Sequence, residues 1–312
     1  RALKEIRLIK PEFDPKILKL LFAISEGHLE VTIKALAFEI PFEEALESEA
    51  LTTQEGQYIR LLLEHRLSAL GATGQQIDDV LKFGALLGLS FTFLELEYIT
   101  KFRQAELRSI IKRANSVSLV ESSQTDCQFS HEIIREFFRQ KALEQSEGFY
   151  YDRLVQCYQA LYPTEYGLRI HYLLHIGNVV EIEKLYCLDQ VRQMESGITS
   201  PNQELEVLLS DENREYLDAM SRAWMAYKTA DYVHARNQLH QIEDVYPVEL
   251  LAERDYLTAI TLTRSLVMEE CDRACQMLSA YEARRGQFRE PQIWSKVMLL
   301  LFAAFLHAGR KV

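Results

Sequence analysis

Between Val80 and Leu143 the spacing of apolar residues changes from helical to alternating and back to helical, and few folds accept both changes in so short a stretch. In Asp78 to Leu87 the residues Val80, Leu81, Ala85, Leu86 and Leu87 recur at helical spacing. A turn through Gly88 and Ser90 leads to Phe91 and Phe93, and a second helical segment covers Leu94 to Thr100. A third, Gln104 to Asn115, carries Leu107, Ile110 and Ile111 on one side, with Arg103, Arg108, Lys112 and Arg113 elsewhere. Val117, Leu119 and Glu121 against Cys127 and Phe129 then predict two short strands, joined by the polar turn Ser122 to Asp126. Ser130 suits the N-cap of a closing helix, His131 to Leu143, which would bury Ile133, Ile134, Phe137 and Phe138.

Three helices, a β-wing and a further helix make a winged-helix domain. The runs Gly84-Ala85-Leu86-Leu87-Gly88-Leu89-Ser90-Phe91, Leu107 to Glu121 and Phe129-Ser130-His131-Glu132 resemble the winged helix of STAND NTPases. That class of signal-transduction ATPases includes the NACHT and NB-ARC immune receptors and the maltose-type bacterial regulators. In them a histidine opening the last winged-helix helix, the M-H-D position of plant resistance proteins, faces the β-phosphate of bound ADP. Ser130-His131-Glu132 matches that place, with serine for the first residue and glutamate for aspartate. The resemblance covers residues 1 to 175 in arrangement and is specific around 84 to 138.

The chain has 312 residues and a mass of 36.3 kDa, enough for two or three domains with cores of their own. With 12 Gly and 7 Pro it favours helices over sheet or coil. A net charge of −11 argues against general affinity for nucleic acid or anionic membrane, although a local basic face is compatible with it. Cys127, Cys157, Cys187, Cys271 and Cys275 form no C-x-x-C pair, and an odd count without a framework fits a reducing cytoplasm. No apolar run reaches a membrane span; Val297 to Leu306 is about half of one. The opening Arg1-Ala2-Leu3 lacks methionine and an apolar signal region, which suggests a piece of something larger. The resemblance implies that the missing part is an upstream ATPase core.

Residues 1 to 72 are predicted as a helical, lid-like domain. Asp14-Pro15 starts a helix with Ile17, Leu18, Leu20, Leu21 and Ile24 on its buried face, and Gly27 stops it. Leu29 to Ile40, bounded by Pro41, then Phe42 to Leu51 and a helix through Tyr58 to Leu67 follow. In STAND proteins the domain before the winged helix carries a G-x-P turn that packs against the adenine. Gly27-His28-Leu29 stands at the matching place with leucine for proline, so the resemblance adds Gly27 and Leu29 to His131 as nucleotide-binding candidates. Taken alone, Gly27 is explained by a helix C-cap.

The winged helix is placed at 73 to 147, and helical repeats at 148 to 312. Phe149 to Leu161 ends at Pro163, and Tyr166 to His175 pairs with Val179 to Leu188 around Ile176-Gly177-Asn178. Glu195 to Gln203 is the best linker candidate. Two similar helical hairpins follow: Arg214 to Tyr227 with Tyr232 to Glu243, and Leu250 to Val267 with Glu270 to Tyr281. Asp231, Ala235 and Leu239 align with Glu270, Ala274 and Leu278, a small-then-large pattern used by tetratricopeptide-like repeats, whose strict form repeats at about 34 residues. Glu290 to Leu306 begins a further unit.

No G-x-x-x-x-G-K-[S/T] occurs, so this chain lacks the phosphate-cradling loop and should not hydrolyse ATP alone. His171 and His175 stand at i, i+4 without an H-E-x-x-H glutamate, so two helix-face histidines explain them better than a zinc site, and no serine or cysteine has a nucleophile context. At a helix N-terminus the His131 imidazole could donate to a phosphate oxygen where the dipole also favours an anion. The basic residues of the third helix are offset by Glu106, Glu121 and Asp126, which predicts packing rather than DNA binding. The expectation is therefore a mostly α chain with one small β-hairpin: a helical lid, a winged helix and an irregular TPR-like α-solenoid. By resemblance it is the regulatory and ligand-sensing part of a STAND-type switch, with ADP or ATP and Mg²⁺ held in the full-length parent. Its implied partners are the upstream core, a protein ligand on the repeats, and further copies of itself on activation; the setting is antiphage defence or other cytoplasmic signalling. The alternatives are a nucleotide-independent repeat scaffold and a winged-helix transcriptional regulator.

Overall fold

The structure, a computed structural model, describes residues 60, 63, 64, 67, 68, 70–198, 202–264 and 267–308. Gly27, Leu29 and nearly all of the expected lid lie outside them, as do residues 199–201 of the expected linker. Among the described residues there are twelve α-helices and one three-stranded antiparallel sheet, and no helix is long and apolar enough to cross a membrane. The chain divides into two compact units, Arg1–Cys157 and Tyr158–Val312. The division falls within a helix and later than the 147/148 boundary drawn from sequence.

In the first unit α1 (Ala72–Leu87) buries Ile77, Val80, Leu81 and Ala85. Two glycines permit its packing. A Cβ on Gly74 would lie 1.8 Å from the Leu67 carbonyl oxygen, and one on Gly84 would lie 2.8 Å from the ring of Phe91. Phe91 is the centre of β1 (Ser90–Thr92), a strand the sequence pattern did not announce. α2 (Phe93–Thr100) starts with a capping box: Thr92 Oγ1 accepts from the Glu95 N–H at 3.1 Å, and the Glu95 carboxylate accepts from the Thr92 N–H at 2.7 Å. α3 (Gln104–Ser116) buries Leu107, Ile110, Ile111 and Ala114. β2 (Val120–Ser122) and β3 (Asp126–Phe129) form the expected hairpin, and β1 pairs with the other edge of β3, giving the order β1-β3-β2. Val117 and Leu119 are not in the strand, because Ser118 turns the chain at φ 58 before β2 begins.

α4 (Glu132–Leu161) closes the domain; Phe137 and Phe138 pack edge to face, and the Phe138 ring reaches Phe129. It is broken at Ser146 (φ −172°, ψ 87°). Just before the break, the Gln145 carboxamide oxygen accepts from Lys82 Nζ at 2.8 Å and the Tyr150 hydroxyl at 3.0 Å, and Arg60 grips Glu144 with two bonds of 2.8 and 2.7 Å. Helix, strand, two helices, two strands and a closing helix is the winged-helix arrangement, with a three-stranded sheet in place of a lone hairpin.

The second unit holds α5 (Tyr166–Ile176), α6 (Val179–Ser196), the single turn α7 (Gln203–Glu206), α8 (Asp211–Lys228), α9 (Tyr232–Leu239), α10 (Val248–Thr263), α11 (Met268–Ser279) and α12 (Pro291–His307). α5/α6, α8/α9 and α10/α11 pack as hairpins, while α6, α8, α10 and α12 stack side by side. Ala235, Ala274 and Leu278 are fully buried and Leu239 nearly so, as the repeat alignment predicts. Arg169 of α5 and Glu290, next to α12, are 1% and 0% exposed and joined by bonds of 2.7 and 2.6 Å. Breaking such a pair from one side leaves a buried charge and costs about 3–5 kcal/mol.

Candidate functional site

His131 sits where the wing returns to the helical layer. The Ser130 N–H donates to the Leu119 carbonyl at 3.1 Å, and the Ser130 hydroxyl donates to the Ser118 carbonyl. That second bond takes Ser130 away from the role the sequence suggests for it. α4 starts at Glu132, and the cap is His131 itself, whose Nδ1 accepts from the Ile133 N–H at 3.3 Å. An accepting Nδ1 carries no proton, so the neutral imidazole holds its proton on Nε2 and is a donor there. The ring is half-buried. One turn on, Arg135 Nε donates to Glu132 at 2.7 Å, and the buried Glu136 accepts two bonds from Arg139 at 2.7 and 2.8 Å. The bond to Glu136 raises the Arg139 guanidinium above its usual range. This end of the helix therefore combines an N-terminal dipole with an imidazole donor, the chemistry suited to an anionic oxygen.

Of the three nucleotide-binding candidates only His131 is among the described residues, so its distance from Gly27 and Leu29 is not defined. His171 and His175 have ring centroids 5.3 Å apart; burial, then its neighbour, lower the His171 pKa. No cluster of metal-ligating side chains occurs among the described residues. All five cysteines are buried, and none is in a disulfide.

Sequence reasoning missed a hollow of about 510 Å³ in the second unit. Glu195, Trp224, Tyr227, Tyr256, Arg264 and His307 line it, each from the last turn of its helix or beside it except Tyr256. Trp224 is 4% exposed, and its indole N–H is buried without an acceptor. Beside the hollow, Lys296 Nζ meets Glu195 at 2.6 Å and Glu253 at 2.8 Å and lies 4.1 Å from the Tyr256 ring centre. Burial works against the Lys296 charge, but the two carboxylates prevail and raise its pKa. A signal existed: Glu253 and Lys296 each interrupt an otherwise apolar helical stripe. Comparison with protein-family models, with curated proteins and with solved structures yields no match for this chain.

Proposed function

We propose that this chain is the regulatory and ligand-sensing part of a STAND-type ATPase switch. In that role the winged helix stabilises an ADP-bound resting state through His131, and the helical repeats receive a protein ligand. The observation that carries the proposal is the placement of His131 at the junction of wing and α4. There its Nδ1 is engaged by the Ile133 N–H, which makes Nε2 the donor. Such a donor at a helix N-terminus fits a diphosphate oxygen. The bound nucleotide would supply the negative charge that ties the winged helix to a neighbouring ATPase core. The phosphate-cradling loop and the Mg²⁺ ligands would come from that core, since the sequence carries no such motif. A contact made only in the closed arrangement favours that arrangement by its own interaction energy, and a ligand preferring the open one must exceed it. The hollow beside α6, α8, α10 and α12 supports ligand capture by the repeats, in antiphage defence or another signalling role.

The test is His131→Ala in the full-length parent, with His131→Gln restoring a neutral donor. Basal signalling should rise with alanine and return toward the parent level with glutamine. Unchanged or reduced basal signalling in the alanine variant refutes the role of His131.

A further inference from the structure

The hollow of about 510 Å³ in the second unit lies where α6, α8, α10 and α12 end. Helix C-termini gathered around one space bring the negative ends of their dipoles to it. The nearby cations are mostly committed elsewhere. Lys228 Nζ donates to the Met194 carbonyl of α6, and Lys296 Nζ is held by Glu195 and Glu253 at 2.6 and 2.8 Å. Arg264 and His307 stand at the exposed rim, where water and salt screen them.

The lining suits one kind of guest. Lys296 Nζ lies 4.1 Å from the Tyr256 ring centre and against Glu195, so this wall already holds one ammonium by an aromatic face and a carboxylate. The same two kinds of group remain on offer beside it. The Glu195 side chain is 34% exposed, and its second oxygen, Oε1, is bonded to nothing among the described residues. Tyr227 is half-buried, and among the described residues no cation lies over its ring. Trp224 meets that ring at 89° with centres 5.6 Å apart, an edge-to-face contact that fixes its orientation. Ile260 and Leu300 add half-buried aliphatic surface. An anion would be served by Arg264 at the rim and not from within, since the Trp224 N–H is itself buried out of reach.

We propose that the hollow binds an organic ammonium ion. Glu195 Oε1 accepts from its N–H groups, the Tyr227 ring faces its positive charge, and Ile260 and Leu300 receive its apolar body. The ammonium can belong to a free amine or to a lysine of a protein ligand, which share this chemistry. The inference rests on the repeats being ligand-sensing and not on a nucleotide at His131, so either reading can fail without the other.

The test is a ligand-observed NMR titration of the full 312-residue chain with 2-phenylethylammonium, and with 2-phenylethanol, which keeps the body and removes the charge. The ammonium ion should bind with a dissociation constant on the order of 1 mM, and the alcohol at least about tenfold more weakly. Glu195→Gln keeps the shape and an acceptor; it should weaken the ammonium ion about tenfold and leave the alcohol unchanged. Tyr227→Leu should weaken the ammonium ion about threefold to tenfold. Glu204→Gln, at an exposed carboxylate of α7, should change nothing. Each variant is checked for the parent circular dichroism spectrum and melting curve. No saturable binding by about 20 mM, equal binding of alcohol and ammonium ion, or affinity unmoved by both hollow variants overturns the proposal. Tighter binding of acetyl-lysyl-phenylalanine amide than of 2-phenylethylammonium supports it with a protein lysine as the source, and the reverse order supports it with a free amine.

Discussion

A methyl group on Gly84 would meet Cε1 and Cζ of Phe91 at 2.8 Å, so one hydrogen atom decides whether β1 can lie against α1. Gly84→Ala should therefore destabilise the chain by about 1–3 kcal/mol in urea unfolding, because the ring has to move out of a packed core. Gly148→Ala, where nothing lies within 4 Å, should be neutral or stabilising by up to about 1 kcal/mol, as expected for a helical glycine. Equal effects of the two substitutions would show that the close approach carries no strain. The need for Gly84 could not be read from sequence, since its reason is a ring in another element. His131 was legible as a residue because its place follows from the hairpin before it. The role of Ser130 was not, because the competing acceptor, the Ser118 carbonyl, is brought near only by the left-handed turn at Ser118.

Elements with a sustained period were legible and those without one were not. α3 and most helices of the second unit follow their apolar spacing to within a few residues, but α6 runs to Ser196, past the expected end at Leu188 and into the stretch read as a linker. β1 is three residues long, too short for an alternation to register, and it exists through pairing with β3: Phe91 faces Cys127 across many intervening residues. The wing depends on a similarly non-local contact. Arg108→Ala removes the cation over Phe93 and the bond to Gln124, an exposed pair of interactions worth about 0.5–1 kcal/mol. Amide exchange at Ser123 to Asp126 should quicken with little change in the melting of α4. Exchange rates equal to those of the parent would mean that the hairpin is held by its ladder alone.

Across the whole molecule, burial leaves a signature at alkaline pH. Desolvation pushes the thiols of Cys127 and Cys157 in the first unit, and of Cys187 in the second, up to about 12. It moves the phenols of Tyr150 and Tyr166 to about 12 as well. An acid with a raised folded pKa contributes stability that is fully present below its unfolded value and lost as the pH climbs through the folded one. The urea midpoint should therefore be level up to about pH 8.5 and fall from about 9 to 12, with both units affected. A midpoint constant to about pH 11 would contradict this. The all-helical second unit was foreseeable from its repeat, but its charged interior was not, because Arg169 and Glu290 are 121 residues apart and no local pattern couples them. Their pairing sets a limit on modularity. Stacked repeats commonly tolerate loss of a terminal layer, each layer leaning only on its neighbour. Here the first layer of the unit relies on an anion delivered by the last, so trimming α12 together with Glu290 would leave Arg169 only the more distant Glu181 carboxylate, 3.9 Å away, and should loosen the layer at the opposite end of the stack.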